Sequence, residues 1–160
     1  GGVLMHIWDP ESADAAHAAG VGATIRVGVG AKTGWAGETP VEAEWLVEQL
    51  NDGDIRGTGP MAKGWHFRMG RCALLSHKGV RVGVISRKGQ CLDQAQVRIF
   101  GLEPSSIPIL ALKSTVHFRA DFEPISCGLM VVKSPGPVFA DHQDLTFRKL
   151  PTDVRLMPAR

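Results

Sequence analysis

The chain has 160 residues, 44% of them apolar and 21% charged, with 19 glycines, 10 prolines and a formal net charge of +2. That composition fits one compact soluble domain, long enough to bury roughly 70% of its unfolded surface without a staple. It excludes a disordered tail, a secreted mini-scaffold and a membrane protein: no apolar run reaches the roughly 18 to 20 residues of a spanning helix, and no signal-peptide pattern opens the chain.

The first eight residues have no initiator Met and enter an apolar stretch of strand length almost at once, so the chain reads as a fragment whose upstream sequence is missing. Asp9-Pro10-Glu11 is a helix start, with Asp as N-cap, Pro in the first turn and Glu where the helix dipole favours an acid. The helix runs through Ala13, Ala15, Ala16, Ala18 and Ala19 and stops at Gly20. Residues 21–29 read as a strand with Ala23, Ile25, Val27 and Val29 on one face, so the opening predicts a βαβ unit. Residues 30–40 form a long Gly-rich loop, and residues 41–45 alternate apolar and acidic positions, the pattern of a half-exposed strand.

Asn51-Asp52-Gly53-Asp54 is a turn. Residues 72–76 and 80–85 flank a tight turn at His77-Lys78-Gly79 and predict a hairpin. Residues 92–100 read as a helix, with Leu92, Ala95, Val97 and Phe100 near one side and Gly101 as the stop. After an interruption at Pro104-Ser105-Ser106, residues 107–112 are a buried strand by their continuous apolar run. A turn and short helix follow over residues 113–122, then a further strand over 127–132 and a mostly irregular tail over 135–160. The class is α/β: a mixed β-sheet with a few short helices in a single compact domain, a fragment of a larger protein.

Charge is unevenly spread. Residues 9–54 hold nine acids against Arg26 and Lys32, whereas residues 55–160 hold sixteen bases against seven acids. Either the halves pack together and cancel, or a basic face meets an anionic substrate or an acidic partner. No Lys/Arg run carries interleaved aromatics, so no nucleic-acid partner is expected. Cys72, Cys91 and Cys127 are odd in number and widely spaced, which points to a reducing compartment and a cytoplasmic location.

Gly28-Val29-Gly30-Ala31-Lys32-Thr33-Gly34 has Ala where a phosphate loop needs Gly before its Lys, and reads as a surface loop. The six histidines include no His-Glu-x-x-His pair, no Cys-x-x-Cys is present, and Asp141-His142-Gln143-Asp144 lies in the polar tail. No metal site is therefore assigned to the chain. Residues 112–122 are the richest in chemistry. An apolar strand ends there and Lys113, Ser114, His117 and Arg119 crowd the turn after it, where α/β sheets bind ligands. A helix N-terminus would add free N–H groups as an anion cradle, and His117 and Asp121 are spaced as an i,i+4 pair. Ser86, Arg87, Lys88 and Gln90 follow residues 80–85 in the same way, so two strand ends could build one basic pocket.

Ile7-Trp8-Asp9-Pro10-Glu11, Ala15-Ala16-His17-Ala18-Ala19-Gly20-Val21-Gly22, Ser86-Arg87 with Gln90 and Asp93, and Lys113-Ser114-x-x-His117-Phe118-Arg119-Ala120-x-Phe122-x-Pro124-Ile125 together resemble the C-terminal domain of the MlrC-like, microcystin-degrading metallopeptidases. Pro135-Gly136 and residues 145–150 match it too, and the likeness is weakest over residues 31–70. The resemblance implies that residues 1–160 are an MlrC-like C-terminal domain of a bacterial hydrolase whose zinc sits in a separate N-terminal domain. It implies that this domain completes the pocket for a peptide or small amide substrate. His117 and Arg119 would support catalysis, Lys113, Ser114, Ser86, Arg87 and Gln90 would hold substrate, and the chain alone would be inactive. Its partners would be the N-terminal domain and, in some arrangement, a second copy. The competing reading is a non-catalytic module that grips an anion through Arg87, Lys113 and Arg119 or dimerises through its apolar faces.

Overall fold

Continuous burial in the central strands marks a sheet covered on both faces. In a computed structural model describing residues 1–35, 37–134, 138 and 145–156, the chain order is β1 (Gly2–Trp8), α1 (Pro10–Ala19), β2 (Thr24–Val29), β3 (Val41–Asn51), β4 (Asp54–Arg56), β5 (His66–Arg68), β6 (Cys72–His77), β7 (Val80–Ile85), α2 (Ala95–Arg98), β8 (Ile109–Leu112) and α3 (Arg119–Phe122). The main sheet runs β2-β3-β6-β7-β1-β8, and β4 and β5 make a small hairpin of their own. Val3 and Met5 of β1, Leu74 of β6 and Ile85 of β7 face one core, with Val97, Phe100 and Phe122 packed on them. Leu75, Val82 and Val84 face the other, with Ala13 and Ala16 of α1. Successive side chains point to opposite faces, so strands covered on both sides must be apolar throughout. That is why residues 72–75 and 82–85 carry almost no polar side chains and are all buried.

The helix start at Asp9 forms as the sequence predicts. Its carboxylate, fully buried, accepts from the Ser12 N–H at 3.0 Å and the Ser12 hydroxyl at 2.8 Å. It also accepts from the Gly30 N–H at 2.9 Å, which ties the loop after β2 to the start of α1. The hairpin of β6 and β7 closes at His77-Lys78-Gly79 as predicted.

Other expectations give way. The opening is not a βαβ unit: β2 pairs antiparallel with β3 at the far edge of the sheet, and the parallel neighbours of β1 are β7 and β8. The reason is the Gly-rich loop 30–40, which turns β2 straight into β3. The half-exposed strand at 41–45 continues to Asn51, with a register shift between Val47 and Gln49. Residues 92–100 contain only the four-residue α2, and residues 113–122 only the four-residue α3. Residues 127–132 form no strand. They run as exposed chain beside β8, with Met130 86% exposed. The described part of the tail contains no helix or strand, and Asp141-His142-Gln143-Asp144 lies outside the described residues.

Candidate functional site

Parallel pairing of β7, β1 and β8 brings three carboxyl ends to one edge of the sheet. Chain leaving them carries Ser86-Arg87, Trp8-Asp9 and Lys113-Ser114. The outer two ends stand two strand spacings apart, about 10 Å. Backbone bonds lock the ends in place: Asp9 N–H donates to the Ile85 carbonyl at 3.0 Å, and Arg87 N–H to the Met69 carbonyl at 2.9 Å. The Lys113 N–H donates to the Met5 carbonyl at 2.6 Å. This is the edge where parallel α/β sheets place ligands, because the strand ends splay into loops and leave a crevice.

Three of the candidate side chains meet directly. Gln90 donates through Nε2 to the Ser114 hydroxyl at 2.7 Å, and its Oε1 accepts from His117 Nδ1 at 3.0 Å. Gln90 is itself anchored from beneath, since the buried Gln96 donates to its backbone carbonyl at 3.0 Å. The other Gln96 amide atom, Oε1, accepts from the N–H groups of Leu92 and Asp93 at 3.0 and 3.2 Å. These side-chain bonds shape residues 90–94 as a polar loop and displace the longer helix that the apolar spacing predicts. Ser86 and Arg87 sit beside Trp8, whose indole N–H donates to the Ser86 carbonyl at 3.2 Å.

Cationic groups lie on the same strand-end edge. Arg87 and Lys113 are exposed, and neither belongs to an ion pair among the described residues. The Lys88 ammonium lies over the Trp8 ring, 4.1 Å from its centroid. Trp8 was not marked as a site residue by sequence; the signal was an aromatic at the end of the first strand, immediately before the helix start.

Arg119 stands apart. It pairs with Glu123 at 3.3 Å, one helical turn on, and lies 5.6 Å from the centre of the Phe118 ring. His117 and Asp121 do not pair, since Asp121 accepts from the Gln94 backbone N–H at 2.6 Å and from its side chain at 3.1 Å. The expected helix N-terminal anion cradle is not built either, because a single four-residue turn has no aligned dipole to offer.

Around β8 the site opens into a cavity of about 540 Å³, lined by Ser114, Thr115, Phe118 and the exposed segment 125–132. Its outer wall is apolar, with Met130, Val131 and Val132 between 73% and 86% exposed. Among the described residues no three His, Cys, Asp or Glu side chains gather where they could hold a metal ion. These residues therefore do not fit a zinc site, and no chemical step is assigned to a metal here. All three cysteines are free, Cys72 and Cys91 buried and Cys127 exposed, and burial pushes the Cys72 thiol up to about 12. No helix among the described residues is long and apolar enough to cross a membrane.

The sequence profile of the family described as MlrC C-terminus matches residues 1–149. The chain belongs to this family. A domain of the MlrC C-terminus is accordingly similar to Microcystinase C of Sphingomonas sp, at 27% identity over 131 residues. That match takes in 80% of this chain and 24% of the enzyme. Its fold is also that of a crystal structure from Mesorhizobium sp. BNC1 carrying a provisional assignment as a metallopeptidase, with a TM-score of 0.72 and 26% identity. There the match takes in 78% of this chain and 25% of the other. The MlrC C-terminal domain thus spans about a quarter of the length of each of these relatives.

Proposed function

We propose that this MlrC C-terminal domain works in a larger zinc-dependent peptidase or amide hydrolase, where it completes a substrate pocket whose metal lies in another part of the protein. One observation supports the reading above the others: the bonded set Gln90, Ser114 and His117 sits at the edge where three parallel strand ends converge, and the chain leaving two of those ends carries the cations Arg87 and Lys113, which join no ion pair among the described residues. Such an edge suits a peptide, which offers a carboxylate to the cations and an amide to the polar triple. When bound, the metal would supply a polarised water or carbonyl. The residues of this chain bind and orient the substrate beside it. Among them Arg119 takes a supporting place, because Glu123 already neutralises much of its charge.

The remainder of the protein is the proposed partner, and the apolar wall beside β8 supports that choice, with a second copy as the other candidate. The domain alone is proposed to be inactive, and the free thiols agree with a bacterial cytoplasm. The test is kinetic. In the full-length protein, Arg87→Ala and Lys113→Ala are expected to raise KM for a peptide with a free carboxylate about 10-fold each, and far less for its amidated form. His117→Ala is expected to lower kcat/KM about 100-fold. Unchanged kinetics in all three variants would remove the proposal.

A further inference from the structure

We propose that Gln90 is a positioning residue that fixes the tautomer of His117 and turns Ser114 and His117 into a donor–acceptor pair for an amide group. The argument starts from what each atom can do. An amide oxygen only accepts, so the 3.0 Å contact between Gln90 Oε1 and His117 Nδ1 requires the proton on Nδ1. The neutral ring then keeps a bare lone pair on Nε2, with no partner among the described residues. On the other side, Gln90 Nε2 donates to the Ser114 oxygen at 2.7 Å, which leaves the hydroxyl hydrogen uncommitted. One glutamine thereby sets both polarities at once, leaving an O–H that donates and an imidazole nitrogen that accepts.

Gln90 can impose this because it is held. Its backbone carbonyl accepts from Gln96 Nε2, and the Gln96 backbone carbonyl in turn accepts from Nε2 of the buried His6 at 2.9 Å. The polar chain therefore runs from the interior of β1 to the strand-end edge. A secondary amide presents the complementary set, a carbonyl for the Ser114 hydroxyl and an N–H for His117 Nε2. A carboxylate has no donor for Nε2, so this part of the site takes the amide while Arg87 and Lys113 take negative charge.

The substrate assignment rests on the reading under Proposed function, whereas the tautomer stands on this chain alone, so the two are tested separately. Long-range nitrogen–proton correlation spectra of the 15N-labelled chain at alkaline pH, where histidine rings are neutral, report the tautomer of each ring. His117 is expected to show the proton on Nδ1. In Gln90→Ala it should shift to a mixture dominated by the Nε2-protonated form, as in free histidine. Gln90→Glu, whose carboxylate still accepts, should retain the Nδ1 proton. An Nε2-protonated His117 in the unaltered chain, or a tautomer indifferent to Gln90→Ala, would overturn the inference. In the full-length protein Gln90→Ala is expected to lower kcat/KM for an amide substrate about 100-fold, as misplacing a reacting group does. A correct tautomer combined with unchanged turnover would instead refute the substrate role of this edge.

Discussion

Burial of His6, which is 1% exposed in the first core, pushes its ring down from 6.5 to about 4, against the modest upward pull of its bond to the Gln96 carbonyl. Nδ1 has no partner among the described residues, so charging the ring would strand a second N–H in an apolar interior. Between pH 6.5 and 4 the unfolded chain binds this proton and the folded chain does not. Stability from His6 is therefore complete above pH 6.5 and is lost as the pH falls toward 4, by about 3 kcal/mol. Urea unfolding of wild type and His6→Gln at pH 7 and pH 4 should show that difference, with the variant losing less. An equal loss in both would mean that other groups carry the acid sensitivity. Asp93 gives a second residue-level prediction. Fully buried, it accepts from the N–H groups of Thr58, Gly59 and Ala95 at 2.9, 2.8 and 2.9 Å and from the Thr58 hydroxyl at 3.3 Å. Asp93→Ala should cost about 3 kcal/mol in urea, since it orphans the buried Gly59 N–H and the half-buried Ala95 N–H while giving back the cost of burying a charge.

At the scale of elements, the turn joining β3 to β4 depends on Gly53. Its φ is +67°, and a Cβ there would collide with the Gly70 carbonyl oxygen while meeting Cys72 Sγ at 2.8 Å and Met69 Cβ at 2.9 Å. Gly53→Ala should therefore cost about 2 to 4 kcal/mol, combining left-handed strain with overpacking. Chemical denaturation tests it, and a loss below 1 kcal/mol would show that the β4–β5 hairpin moves away at little cost. Asn51-Asp52-Gly53-Asp54 was legible as a turn, as were the capped helix at Asp9 and the β6–β7 hairpin, because each is decided by neighbours in sequence. Pairing across long separations was not. Nothing local says that β1 seeks β7 and β8 and ignores β2. The apolar run 92–100 resembled a helix because Leu92, Val97 and Phe100 are core residues, yet side-chain bonds from Asp93 and Gln96 shape that loop. Likewise the run 127–132 had strand composition but pairs with no strand, leaving its apolar side chains exposed. The candidate site was half legible: Ser114, Gln90 and His117 were marked individually, but Gln90 as the bridge needed coordinates.

For the whole molecule, charge segregation along the sequence resolves into two populations. Some bases of the second half pair with acids of the first: Arg71 with Asp14 at 2.9 Å, Arg81 with Glu48 at 2.8 Å, Arg68 with Asp54 at 3.9 Å. Arg87, Lys88 and Lys113 join no such pair among the described residues and follow the strand ends at that edge. Both alternatives raised by the uneven charge therefore hold, in different places. They predict opposite responses to salt. Exposed ion pairs contribute about 0 to 1 kcal/mol each, so raising NaCl from about 0.05 M to about 0.5 M should change unfolding stability by less than about 1 kcal/mol. The basic edge acts on a mobile ligand through an open field, which salt screens within a few ångströms at the upper concentration. The KM of the full-length protein for a carboxylate-bearing peptide should then rise about 10-fold over the same range, and Arg87→Ala combined with Lys113→Ala should flatten that rise. If stability collapsed in salt while KM held still, the paired arginines rather than the free ones would be the functional charges, and the basic edge would lose its role.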